Sequence, residues 1–187
     1  MIASQDRSYY IGASETDKVI GNWKTKTWFN WWMQKIAINN DHFDNVYTLA
    51  GTHFERRILE NLGILMEFDK QIILEDLRLR VNLDGNTDDC IYECKTFIYS
   101  KGFSLPQKYI NQVQVQMFAS GIHQAKIVAY GLVDEDYNNF FRPIDEERLH
   151  IFPISYNAEW IEKVYLPKHL ILRDCLVKGV LPDEALI

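Results

Sequence analysis

Positive charge, paired cysteines and long apolar runs are what this sequence has least of. Its 187 residues carry 20 Lys and Arg against 26 Asp and Glu, a formal net charge of -6, with a pI near 5.4. That balance excludes a polybasic protein held to nucleic acid by overall charge, so any nucleic-acid site has to be a local patch. Three cysteines occur, Cys90, Cys94 and Cys175, and no two of them form a C-x-x-C pair. Neither a structural zinc site nor a disulfide framework is indicated, and a reducing cytosol is the simplest setting. No apolar run reaches the ~18 residues of a membrane-spanning helix. The leading MIASQDRSYYIG lacks the basic-then-apolar order of a secretory signal. The sequence therefore predicts a cytoplasmic protein that is neither exported nor membrane-bound. It contains no repeats, linkers or low-complexity tracts.

What the sequence does contain is ordinary core material. Hydrophobic residues make up 47% and charged ones 25%, with five Trp, 10 Tyr and 10 Phe, values that set aside disorder. A chain of this length fits one domain and can bury roughly 70% of its unfolded surface without a metal or disulfide staple.

Periodicity divides the chain into elements. Ser14 is a good N-cap for a short helix to Ile20 that Gly21 stops. In TKTWFNWWMQKIAI, Trp28, Trp32 and Lys35 share a helical face that Trp31 and Phe29 broaden; core packing and stacking on unpaired bases are both open to these tryptophans. Ile58, Leu59 and Leu62 form one stripe of a helix from Thr52, ended by Gly63. The pattern then changes to strands: one around Gln71 to Leu74, then DLRLRVNLD, with Leu77, Leu79, Val81 and Leu83 on one face. The turn-rich DGNTDD leads into IYECKTFIY and makes a hairpin, with Ile91, Glu93 and Lys95 facing one way. A helix from Pro106 to the Gly121 stop, the buried strand AKIVAYGLV, a strand RLHIFPIS and a long helix capped by Asn157 and running to Lys178 complete the chain.

The hairpin carries the strongest chemical signal, Asp84 followed by Glu93-Cys94-Lys95 in a D-x8-E-x-K arrangement. Hard divalent cations such as Mg²⁺ take carboxylate oxygens and complete their shell with water and substrate phosphate, and Asp84 and Glu93 can supply the carboxylates. Lys95, two residues along the same strand face, can orient a metal-bound water and stabilise phosphate charge. The bland alternative is an Asp84-Gly85 turn and an exposed Glu93–Lys95 pair, worth under about 1 kcal/mol. Glu55 lies on the core-facing stripe of its helix, where a carboxylate needs a partner; alternatively, Thr52 and Glu55 make a capping box. Gln112 and Gln116 share a helical face with Tyr109. Such glutamines are usually solvated, and in a site they can hydrogen-bond phosphate or water without adding charge.

Four segments, in order, resemble the lambda-exonuclease or YqaJ-type viral recombinase family of the PD-(D/E)xK nuclease superfamily. They are IGASE with its short helix, GTHFERRILE, VNLDG followed by YECKT, and YINQVQVQM, together covering about residues 7–121. The resemblance implies an α/β (α+β) restriction-endonuclease-like core, a central mixed β-sheet flanked by helices. It implies one nuclease domain over 1–187, with 1–49 a helical N-terminal segment, 50–133 the nuclease core and 134–187 a strand and long helix. It further implies a Mg²⁺- or Mn²⁺-dependent exonuclease that hydrolyses phosphodiester bonds from duplex DNA ends, 5′ to 3′. The alternative is a nuclease-fold DNA-binding or protein-inhibiting module with weak catalysis. Asp84, Glu93 and the Cys94 backbone carbonyl would bind the metal, Lys95 would position or activate the water, Glu55 would complete the acidic site, and Gln112 would touch water or phosphate. Arg7 and Ser14, in the family's R-x6-S spacing, would bind the terminal 5′-phosphate, with Ser14 also opening a helix whose first amides favour an anion. Implied partners are double-stranded DNA ends, a single-strand annealing protein and further copies of the chain in a trimeric ring. Two departures stand out: Gln116 occupies a position where family members often carry Tyr, and the three scattered cysteines cannot hold the iron–sulfur cluster of some related nucleases.

Overall fold

The computed structural model describes residues 8–36 and 46–183, and of residues 46–49 the backbone alone. In chain order the elements are β1 (Ile11–Gly12), α1 (Thr16–Ile20), α2 (Lys26–Lys35), α3 (Val46–Glu60), β2 (Glu67–Leu74), β3 (Leu79–Asn86), β4 (Ile91–Ile98), α4 (Gln107–Ser120), β5 (Gln124–Leu132), α5 (Asp134–Asn138), β6 (Leu149–Ser155), α6 (Ala158–Trp160) and α7 (Leu166–Lys178).

The strands form one mixed sheet. β3 pairs antiparallel with β2 along its length, β4 runs parallel to β5, and β6 closes the far edge antiparallel to β5. The strand alternation expected from sequence sorts side chains into two layers. On one face Leu79, Val81, Leu83, Ile91, Ala125 and Ile127 pack with the tryptophans of α2 and with α4 and α7. On the other, Tyr92, Cys94, Val128 and Tyr130 pack against Ala50, Phe54, Ile58 and Leu59 of α3. This is the expected sheet flanked by helices.

Trp28, Trp31 and Trp32 are buried, and the Trp28 and Trp32 rings stack at 5.5 Å. Their aromatic density serves the core rather than unpaired bases. Pro106 and Gly121 bound α4 as expected, Gly121 at φ +74°, where a side chain would be strained. Asn157 accepts the Trp160 amide at 2.9 Å and caps the last helical region. A π-helical turn (Ile161–Tyr165) then joins α6 to α7. It lies just ahead of Pro167, whose ring has no N–H to give the Lys163 carbonyl.

Several boundaries differ from expectation. β2 begins at Glu67 rather than near Gln71, while Leu77 sits in a 3-10 turn before β3 rather than in the strand. α3 begins at Val46, not Thr52. β3 runs on to Asn86, so Asp84 and Gly85 are in a strand and not in a turn. The bland turn reading of Asp84 falls with that.

Candidate active site

β3 carries two different neighbours on one edge. Leu79 and Gly85 both pair with β2 on one side; on the other, Leu79 pairs with Ile11 of β1 and Gly85 with Tyr92 of β4. β1 and β4 therefore share the second edge and leave Val81 to Asp84 between them without a strand partner. Backbone groups on an unpaired edge need other partners. Two side chains provide them: the Asp84 carboxylate accepts the Cys94 amide at 2.8 Å, and the Gln116 amide donates to the Asn82 carbonyl at 3.1 Å. The split in the sheet is where the chemical residues gather.

Glu93 sits at the centre and is 1% exposed. Its Oε1 accepts from Lys95 Nζ and from Gln112 Nε2, both at 2.5 Å, and its Oε2 accepts from Gln116. Glu93 and Lys95 thus form a buried, charge-assisted pair, not the exposed pair of the bland reading. The Tyr109 ring lies 5.1 Å from Lys95 Nζ on its other side. Gln112 and Gln116, expected to be solvated, are buried in the same network.

Electrostatics follow from crowding. Burial, then the Glu93 charge, raises the Glu55 carboxyl to about 7, with Lys95 opposing. Burial raises Asp84 well above the usual carboxylate range, and Glu93 and Glu55 add to that. Burial alone would lower Lys95, yet Glu93 and Asp84 outweigh it and hold the ammonium protonated above its ordinary range. Three carboxylates therefore share one ammonium. The capping-box reading of Glu55 fails, because Thr52 lies inside α3, two turns from its start.

Asp84 and Gln112 open onto a cavity of about 170 Å³, also lined by Gly12, Ser14, Glu15, Lys35, Arg80 and Asn82. Ser14 thus reaches the same cavity as Asp84, but not as a helix cap. Residues 13–15 form a 3-10 turn capped from Gly12, whose amide donates to Glu15 at 2.7 Å, and Ser14 is exposed inside that turn. The cap fell to Gly12 because Glu15, fixed by Trp31 and Lys35, supplies the acceptor from within the turn. Arg7, its expected partner, lies outside the described residues.

A family model, the YqaJ-like viral recombinase domain, matches residues 4–123. The chain belongs to that family. This YqaJ-like chain also shares its fold with solved exonucleases. An alkaline exonuclease (LHK-Exo) from Laribacter hongkongensis superposes with a TM-score of 0.69 at 18% identity, covering 92% of this chain and 90% of that one. LHK-Exo in complex with dAMP gives 0.71 over the same shares, also at 18% identity. A phage-related exonuclease from Haemophilus somnus 129PT gives 0.63 at 16% identity, with 90% of this chain and 95% of that one covered. A search of curated proteins finds no match. The PD-(D/E)xK-type core expected from sequence is thus the fold of the YqaJ-like chain.

Two contacts carry no signal in the sequence. Gln116 shares a helical face with Gln112 and Tyr109, from which it could touch phosphate or water, but nothing in the spacing announces that it reaches Glu93. Asn82 enters through its backbone carbonyl, which no side-chain pattern encodes.

The donor set suits a hard cation. Among the described residues no group of three or more His, Cys, Asp or Glu side chains is disposed to hold a metal ion alone. Two carboxylates, Asp84 and Glu93, supplemented by a backbone carbonyl, water and substrate oxygens, are the Mg²⁺ pattern. Burial first, and then the neighbouring carboxylates, disfavour the charged forms of Glu55 and Asp84, and a divalent cation held among them would favour those forms.

Proposed function

We propose that this protein is a Mg²⁺- or Mn²⁺-dependent exonuclease that hydrolyses phosphodiester bonds of linear duplex DNA from a 5′ end. The observation that carries the reading is the buried cluster of Asp84, Glu93 and Lys95, joined electrostatically to Glu55, of which Asp84 lines a cavity beside the split sheet. Asp84, Glu93 and the Cys94 carbonyl would hold the cation, which when bound neutralises phosphate charge and makes water a better nucleophile. Lys95, protonated as it stands, orients water and stabilises negative charge on phosphate oxygens rather than accepting a proton. Glu55, with its carboxyl near 7, is the group able to exchange a proton at neutral pH. Gln112 offers an uncharged donor beside them.

The cavity couples this chemistry to the N-terminal segment. Arg7 and Ser14 bind the terminal 5′-phosphate, and the support is that Ser14 lines the same cavity as Asp84. Enclosure of the duplex by a trimeric ring of copies would keep the enzyme on its substrate; a monomer by light scattering with DNA present would refute it.

A second reading, a nuclease-fold module with weak catalysis, draws on one observation. Glu93 already accepts three hydrogen bonds, so few of its lone pairs remain for a cation. Nucleotide release from a duplex labelled at either the 5′ or the 3′ end separates the readings and gives polarity. Early release of the 5′ label supports the proposal, and no release of either label supports the second reading.

A further inference from the structure

Gln114 and Gln116, two of the buried glutamines of α4, make opposite kinds of contact. Gln114 is fully satisfied by backbone: its amide donates to the Ser155 carbonyl at 2.8 Å and its oxygen accepts the Asn157 amide at 2.7 Å. That arrangement is purely structural and ties α4 to the end of β6. Gln116 is fully buried, yet its oxygen has no hydrogen-bond partner among the described residues, while its amide nitrogen serves both Glu93 Oε2 and the Asn82 carbonyl. Turning the amide over would set oxygen against two acceptors, so its orientation is fixed by those two contacts. A buried, unpartnered amide oxygen is a cost that a glutamine kept only for packing would not carry.

We infer that Gln116 is a positioning residue for the metal: it fixes the Glu93 carboxylate through Oε2 and anchors it to the unpaired edge of β3 at Asn82. The inference rests on the proposed function in taking Glu93 as a metal ligand. The physical reason is geometric. Lys95 and Gln112 both donate to Oε1, and among the described residues Gln116 is the donor to Oε2, so without it the carboxylate is freer to rotate about its terminal bond. The Asn82 contact adds a second constraint, because the donor is held to the same strand that carries Asp84. Gln116 thereby adds a side-chain tie between the Glu93 carboxylate and the strand of Asp84, alongside the Cys94 amide that holds Asp84 itself. Outer-shell partners that orient metal-binding groups are worth about 10–100-fold in metal affinity.

The test is Mn²⁺ binding to the full chain without DNA, read as loss of the free-ion electron paramagnetic resonance signal, alongside the melting temperature. Gln116→Leu removes the donor at similar volume, Gln116→Met does so with an unbranched side chain should the first variant not fold, and Gln114→Leu is the structural control. The expected result is a Mn²⁺ dissociation constant weakened roughly 10–100-fold in the Gln116 variant, with Gln114→Leu lowering the melting temperature but leaving the constant unchanged. A Gln116 variant that binds Mn²⁺ as tightly as the unmodified protein overturns the inference alone. An unmodified protein that takes up no Mn²⁺ overturns it together with the functional reading.

Discussion

The Asp84 carboxylate accepts the backbone amide of Cys94 at 2.8 Å, across a hairpin whose own ladder has already ended at Gly85 and Tyr92. A side chain here does what a backbone carbonyl does elsewhere in the sheet. The consequence is that Asp84, which also lines the cavity, is held beside Glu93. A structural tie and the proposed metal contact thus fall to the same carboxylate.

Asp84→Asn separates the two roles. The amide oxygen can still accept from Cys94, but the buried charge is gone, and with it the repulsion from Glu93 and Glu55. The metal-free variant is expected to melt at the same temperature or higher, by about 2–4 °C for each kcal/mol relieved. Added Mn²⁺, which should raise the melting temperature of the unmodified protein, should leave the variant unmoved. A variant that melts much lower than the unmodified protein and still gains from Mn²⁺ would exclude Asp84 as a ligand.

Lys95→Ala should cut turnover by a factor on the order of 10² or more, the scale for removing one preorganised charge stabiliser. Its circular dichroism spectrum should be that of the unmodified protein. Normal turnover would remove Lys95 from the chemistry.

Stability toward acid has a separate source in a buried histidine of α7. His169 is buried and lowered to about 4 by burial, with its Nε2 against the Leu77 carbonyl at 2.8 Å and its Nδ1 facing the Tyr165 hydroxyl. The carbonyl can only accept, so Nε2 carries the proton and Nδ1 accepts from tyrosine. Between the unfolded value near 6.5 and the folded value of about 4 the unfolded chain binds more protons. Stability is therefore lost as pH falls through that window, by on the order of 3 kcal/mol. Denaturant titrations from pH 7 to 4 should show this slope, and His169→Phe should flatten it while lowering stability at pH 7. An unchanged slope in the variant would assign the acid sensitivity elsewhere.

The hairpin, the Pro106-to-Gly121 helix and the Asn157 cap were legible because each is encoded locally, by alternation, a stop residue or a side-chain acceptor. The start of α3 was not, since residues 46–51 have no cap or stripe that the sequence separates from a loop. Ser14 misled for a physical reason: a serine is a strong N-cap by propensity, but Glu15 took the Gly12 amide and moved the cap two residues earlier. The acidic site was legible as a motif, whereas the Gln116 and Asn82 contacts depend on β1 and β4 dividing one edge of β3. That division is a long-range property with no local signature.

Duplex ends should be read at the terminus. A pocket involving Arg7 and Ser14 makes 5′-phosphorylated linear duplex a better substrate than the 5′-hydroxyl form, through bidentate donation from arginine. Arg7→Ala should erase the preference without changing the rate on 5′-hydroxyl ends. Equal rates on both ends with the unmodified protein would mean that no such pocket exists.

The most direct measurement of the central claim is nucleotide release from linear duplex DNA by the purified full chain, followed through chelation and metal restoration. Asp84, Glu93 and Glu55 crowd three carboxyls around Lys95, and the proposed hydrolysis would use a divalent ion to neutralise the phosphate. The account predicts no release in EDTA and full recovery with excess Mg²⁺ or Mn²⁺. Release undiminished by EDTA would contradict it.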